Sequence, residues 1–218
     1  MAYNLGTVRT RIQQKLDNTN FDTSKLNQFI NDGQRDILNT RRFSFMESET
    51  SLTTSSNDDA LSTLPTDFQV PLTLRIYSPT NNSSMLSYIE YEDFDVVMPN
   101  PNIAGTTIPF AWYIFDGTPK VYPKADSSYT IKMRYIKNPT ELTVDADVPD
   151  IPEEFSEVLV LAGYKRALEH DDDYDQAQII QLQVDDKINQ MDERYSRQKG
   201  LPHIMRQPWR TRRSPGGF

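Results

Sequence analysis

Residues 128–170 read SYTIKMRYIKNPTELTVDADVPDIPEEFSEVLVLAGYKRALEH, and the spacing of the apolar residues changes inside this stretch. In its first part Tyr129, Ile131, Met133 and Tyr135 alternate with Thr130, Lys132 and Arg134. Successive side chains of a strand point to opposite faces, so the alternation predicts a half-buried strand. Further on, DVPDIPEEF is a helix start. Pro152 suits the first helical position, and Glu153 and Glu154 complement the positive end of the helix dipole. Phe155, Val158, Leu159 and Ala162 then share one helical face. EHDDDYD at 169–175 interrupts it. A second helix follows, with Ala177, Ile180, Val184, Ile188, Met191 and Tyr195 recurring every three or four residues until Gly200 and Pro202 end it. The chain passes here from sheet to paired helices.

The pattern upstream mirrors this change. Leu5, Val8, Ile12 and Leu16 form one helical face, NTNFDTS at 18–24 breaks it, and Asp22 or Thr23 can cap the next start. Leu26, Phe29, Ile30, Gly33, Ile37 and Leu38 form the next face, and Gly33 there would let another helix approach closely. Between the helical ends the chain reads as β. FSFMESETSLTT (43–54) and FQVPLTLRIYS (68–78) are strand candidates, the second with Pro71 implying an edge position. FAWYIFDGTPKVYP (110–123) sets Asp116-Gly117, which supplies the positive φ angles of a tight turn, between two aromatic-rich runs. YIEYEDFDVVMPNP (88–101) admits a short helix before a loop, and TTSSNDD and SPTNNSSM read as polar loop tips. The predicted fold is α+β: residues 1–42 and 139–199 supply the helices of one bundle, an antiparallel β-sheet or hairpin domain (43–138) is inserted between them, and an extended basic arm (200–218) follows. Packing all the helices as one bundle buries more apolar surface than two separate pairs would.

The charge is distributed unevenly. Of 23 Lys/Arg and 31 Asp/Glu, seven basic and no acidic residues lie from Arg194 onward, which leaves the first 193 residues at −15 (16 basic, 31 acidic). An acidic body repels the phosphates of duplex DNA, whereas a separated basic segment marks an interaction tail. The chain has no cysteine, which excludes disulfides and thiolate metal sites. The opening MAYNLGTVRTRIQQKL lacks a signal-peptide core, and no stretch approaches the roughly 18 apolar residues of a membrane span. Hydrophobic residues are 37%. With so low a share, either much of the chain is exposed or part of its burial comes from neighbouring subunits.

Catalytic patterns are missing. His170 and His203 have no partner at metal-ligand spacing, and His170 reads as a helix-end residue. DDDYD at 171–175 fails the calcium-loop pattern, which would need a glycine and a glutamate where Gln176 and Leu182 stand, so it reads as a loop and helix start. Glu90, Glu92, Asp93 and Asp95 lie in a polar run and read as an acidic surface, whereas acid–base catalysis needs a desolvated carboxyl. Ser156 and Ser196 lack a nucleophile-elbow turn, and there is no phosphate-cradling loop. No enzyme, cofactor or metal is expected. Trp112, Tyr113 and Phe115, with Tyr122 across the turn, could stack on sugars or bases, but such rings more often hold a small sheet together.

The arm contains RQPWRTRRSPGGF at 206–218. It combines Leu201, Ile204, Met205, Trp209 and Phe218 with Arg206, Arg210, Arg212 and Arg213. A purely solubilising tail would not carry large apolar groups, and Trp and Arg are the residues most enriched at binding hot spots. These nine residues are the candidates for docking on a partner protein, with nucleic-acid contact and an idle disordered end as the alternatives.

The whole order of elements resembles the head-to-tail adaptor (head-completion, or connector) proteins of tailed bacteriophages. VRTRIQQKLDNTNFDTSKLNQFINDGQRDI is similar to that family's opening helical pair and STLPTDF to an element before its β-region. FDGTPKVYPKADSSYTIKMRYIKNPTELT is similar to its hairpin and following strand, and VPDIPEEFSEVLVLAGYKRALEHDDDYDQAQIIQLQVDDKINQM to its closing helices. The likeness covers about residues 4 to 195 and extends to the tail tubular adaptors of short-tailed phages. It implies a ring, commonly of twelve copies, between portal and tail, with genome DNA passing through its channel without sequence-specific binding. Phe29, Ile30, Phe155, Val158, Ile180, Val184, Ile188 and Met191 would pack the bundle and its subunit contacts, and the arm would lodge on the portal or a neighbouring subunit. The partners implied are the portal, the tail or next adaptor, and further copies of the chain, with no membrane; the place is the head–tail interface of a virion assembled in the host cytoplasm. Two alternatives draw on other residues: a tail component binding carbohydrate or host surface through Trp112, Tyr113 and Tyr122, and a glycan hydrolase using Glu90 and Asp93.

Overall fold

The computed structural model describes residues 3–77, 84–97 and 105–196. The arm at 200–218 lies outside the described residues. Four long helices come from the two ends of this range: α1 (Leu5–Lys15), α2 (Thr23–Thr40), α4 (Ser156–His170) and α5 (Tyr174–Tyr195). Between them run β1 (Glu47–Thr53), β2 (Phe68–Tyr77), β3 (Met85–Tyr88), the short helix α3 (Tyr91–Val97), β4 (Thr106–Thr107), β5 (Ala111–Phe115), β6 (Thr118–Tyr122), β7 (Lys124–Ala125) and β8 (Thr130–Lys137).

Local signals start the helices. Asn4 and Thr7 form a reciprocal capping box on α1. The Asp22 carboxylate accepts from the Ser24 and Lys25 N–H groups on α2, and Asp173 accepts from the Gln176 N–H on α5. Pro152, expected as the first residue of α4, instead precedes a 3-10 turn at Glu153–Phe155, and α4 begins at Ser156.

The four helices form one bundle with α4 at its centre, touching α1, α2 and α5. Val158 to Gly163 is buried without interruption, as a helix surrounded on all sides requires. Two glycines permit the close crossings. A Cβ on Gly33 would stand 3.1 Å from the Ala162 Cβ, and one on Gly163 would stand 2.6 Å from Ile12 Cδ1.

The six-stranded sheet has the order β1-β8-β2-β3-β5-β6. Its pairs are antiparallel except β3–β5, which is parallel because the chain crosses over through α3. Asp116 (φ 50°) and Gly117 (φ 67°) close the β5–β6 hairpin. The sheet curls. Leu52 of β1, Leu74 and Ile76 of β2, Leu86 of β3, Trp112 of β5, Val121 of β6, and Ile131, Met133 and Tyr135 of β8 all enter one core, with Leu61. The segment after β1 draws the two edge strands together at one end, Thr54 pairing with Leu61 and Ala60 with Lys120. Pro71 implied an edge, but β2 lies inside the sheet. Its missing N–H is tolerated because only Leu74 and Arg75 pair with β3, and the β8 register shifts between Pro71 and Thr73.

The outer face of β8 changes character along its length. Lys132 is half-exposed and Arg134 exposed, whereas Ile136 is buried beneath the bundle beside Phe43, Met46 and Leu142. Sheet and bundle share that core.

Candidate assembly surfaces

The connection from β8 to α4 (138–152) has no periodic pattern, yet it straps the first two helices in place. Gln34 on α2 is only 1% exposed. Its amide donates to the Thr140 carbonyl (2.9 Å) and accepts from the Asp150 N–H (3.1 Å). Asn31 one turn earlier makes the same two-sided capture of Leu142, donating to its carbonyl at 2.9 Å and accepting from its N–H at 2.8 Å. Asp150 accepts from Lys137 (2.5 Å) and from the Thr140 N–H (2.6 Å). The Leu5 and Gly6 N–H groups donate to the Asp147 and Asp145 carbonyls, so the strap also satisfies the start of α1. Gln34→Met keeps the volume but leaves the Asp150 N–H and the Thr140 carbonyl, both part-buried, without their partner. The expected cost is about 2 kcal/mol or more, read as a lower urea midpoint at unchanged slope.

Within the strap, Asp147 accepts from the Thr143 and Val144 N–H groups. These backbone donors, Val144 first, hold its carboxyl below the ordinary carboxylate range. A depressed folded-state pKa contributes stability above the unfolded value of about 4 and loses it as the pH falls through the folded value. Asp147→Asn should therefore lower Tm at pH 7, and the gap to the parent chain should close as the pH falls below about 4.

The residues expected to pack the bundle lie at various depths. Ile30, Val158, Val184, Ile188 and Met191 are in its core, while Phe29, Phe155 and Ile180 are half-buried against it. Phe29 meets His170, whose ring stands at the end of α4 against Phe21 and beside Lys25 Nζ (3.0 Å). Ion pairs tie the bundle surface together: Arg9–Asp145 (2.8 Å), Arg41–Asp192 (2.9 Å), Arg194–Glu154 (2.7 Å), and Arg11 and Arg166 with Glu157 and Asp36. Residues 201–218, with all nine arm candidates, lie outside the described residues.

Of the four rings of the aromatic hairpin, Phe115 is 45% exposed beside Tyr91 and the other three are buried. Trp112, Tyr113 and Tyr122 are 3%, 6% and 6% exposed. Trp112 faces the sheet core beside Tyr88 (4.8 Å between centroids), and Tyr113 stacks on Phe94 of α3 at 4.3 Å. Phe94 and Phe110 meet Tyr122 edge-on. Burial pushes the Tyr113 hydroxyl up to about 12. A sugar needs an open ring face, and Trp112, Tyr113 and Tyr122 offer none. Glu90, Glu92, Asp93 and Asp95 are exposed at the start of and along α3, so no carboxyl there is desolvated as acid catalysis requires.

Two surfaces stand out in what remains. On the outer face of β1, β8 and β2, Arg75, Lys132 and Arg134 surround a groove of about 440 Å³ with Glu49, Tyr77 and Met85. Sequence reasoning missed this patch because it requires the strand register. On the outer face of the β5–β6 hairpin lies the acidic α3. Among the described residues, no helix is long and apolar enough to cross a membrane, and no three His, Cys, Asp or Glu converge as a metal site would need.

A protein-family model described as SU10 adaptor protein matches residues 3–212. The chain belongs to this family of phage adaptors. No curated protein matches it. The match takes in both terminal helical pairs, the inserted sheet and most of the basic arm, so the adaptor assignment rests on the whole architecture. As a phage adaptor, the chain acts through contacts with other head and tail proteins, and its protein–protein surfaces matter more than any pocket.

Proposed function

We propose that the chain is a structural virion subunit that closes into a ring, commonly of twelve copies, between portal and tail. The ring lines the DNA ejection channel, and residues 200–218 dock on the portal. The carrying observation is the adaptor family match over 3–212 joined to the charge split, −15 over the first 193 residues against seven basic residues after them. Three physical points support the reading. A head-to-tail contact that closes on itself generates a ring. An acidic wall lets the phosphates of a passing duplex slide without sticking. A basic arm carrying Trp209 suits an acidic groove on another protein, and ordering it only on a finished portal makes assembly sequential. Assembly in the host cytoplasm follows from the same reading, and no step calls for catalysis.

The experiment compares full-length chain with a chain ending at Gly200 for binding to purified portal. Truncation is expected to remove most of the affinity, and Trp209→Ala with Arg212→Ala to weaken it by on the order of 2 kcal/mol per hot spot. Equal binding by the shortened chain would refute the docking role of the arm.

A further inference from the structure

The outer face of β8 breaks a rule that sheets ordinarily obey. The register sets Lys132 directly opposite Arg75 on β2, with Arg134 two residues along the same face. Like charges directly opposite destabilise a sheet. Glu49 on β1 bonds Arg134 at 3.0 Å and Lys132 at 3.3 Å, and Glu47 shares its face of that strand, so two carboxylates stand beside three cations. Arg75 is exposed and has no acidic partner among the described residues. Exposed Met85 pairs with Arg75 across β2 and β3, and Tyr77, also exposed, lies beneath the Lys132 ammonium at 4.9 Å. The patch is an apolar centre with a surplus of cations. A local conflict of this kind is a functional signature, because an external anion would relieve it.

The complement lies elsewhere on the outer surface of the sheet. All six strands enter one core, so their outer faces point away from each other. The basic patch spans β1, β8, β2 and the Met85 end of β3, and the other end of β3 pairs with β5 of the hairpin at Ser87 and Tyr88. The hairpin's outer face carries α3, anchored by Phe94. Glu90, Glu92 and Asp93 there are exposed with no basic partner among the described residues, and Val96 is 81% exposed beside them. Residues 78–83 and 98–104, outside the described range, include no charged residue that could neutralise either patch.

We propose that the basic sheet face of one copy receives the acidic α3 of the next, with Val96 seated against Met85 and Tyr77 and Arg75 facing Glu92 and Asp93. Because the two patches differ, the contact is head-to-tail and propagates from copy to copy. It rests on the ring reading above and assigns that ring one of its subunit contacts.

Charge reversal tests the assignment on the full chain, with and without purified portal, using sedimentation velocity and native mass spectrometry. Arg75→Glu/Lys132→Glu and Glu92→Lys/Asp93→Lys should each weaken assembly at least about tenfold. Mixing the two variants, or placing all four reversals in one chain, should restore it, which a folding defect would not do. Because the chain has no cysteine of its own, only the introduced thiols of Arg75→Cys/Asp93→Cys can pair; bonding between copies should give a ladder of covalent oligomers, and a disulfide formed only within single chains would count against the contact. If the parent assembles and both reversed variants assemble equally well, the contact is overturned and the ring stands. If the parent remains single under every condition, the ring reading falls and the contact with it. If the sheet variant loses only retention of duplex DNA, the face belongs to phosphates and the proposal fails. It fails also if α3 reversal has no effect in a chain ending at Gly200, since the basic arm would then be the occupant of α3.

Discussion

Replacing Trp112 with Ala is expected to destabilise the chain by about 3–5 kcal/mol. The indole lies in the centre of the curled sheet among Leu74, Leu86, Val121 and Met133, and its loss leaves a void that strands on opposite sides cannot both move to fill. The indole N–H is buried with no acceptor in reach, so the cost comes from apolar contact and not from a broken hydrogen bond. A guanidinium melt reads the change as a lower midpoint. Trp112 is also one of the three rings on which the carbohydrate alternative draws. Exposed sugar-binding tryptophans can be removed at little cost in stability, so a fall of less than about 1 kcal/mol would contradict the burial described here.

Phe43→Ala should cost a similar amount, about 3–5 kcal/mol. Phe43 is 1% exposed and stacks on Phe45 with centroids 5.2 Å apart. It leads from α2 into the sheet, and its backbone pairs with Ser196 at the end of α5. The substitution therefore loosens both the sheet's attachment to the bundle and the point from which residues 197–218 depart. Two readouts should move together: the thermal midpoint, and the hydrogen-exchange protection of the amides around Ser196.

Much of this fold could be read from residue order because it rests on local rules. The apolar faces of α1, α2 and α5, the Asp22 cap, the Asp116-Gly117 turn and the alternation of β8 each belong to a few neighbouring residues. What escaped depends on distant ones. Gln34 sits on the same face as Ile30 and Ile37, where a polar residue among apolar ones was a usable signal, but its partners at 140 and 150 occur in a strap with no period. The curl depends on single bridges from Thr54 and Ala60, which leave no pattern. Pro71 was placed at an edge because sequence shows a missing donor but not the length of the neighbouring strand. The opposition of Arg75 and Lys132 appears only once the β2–β8 register is known. For the same reason the sheet and α3 surfaces were invisible, while the basic arm, a matter of composition, was plain.

The central place of α4 has a consequence for biosynthesis. The ribosome makes α1 and α2 first, yet the faces of Ile12, Ile30 and Gly33 are covered by residues near Ala162 and Gly163, which emerge more than 120 residues after Gly33. Closing so long a loop is entropically slow, and until it closes the nascent helical pair exposes its apolar stripe. The native bundle must therefore form after nearly the whole chain has been translated, and the early helices are the segment a chaperone would meet first.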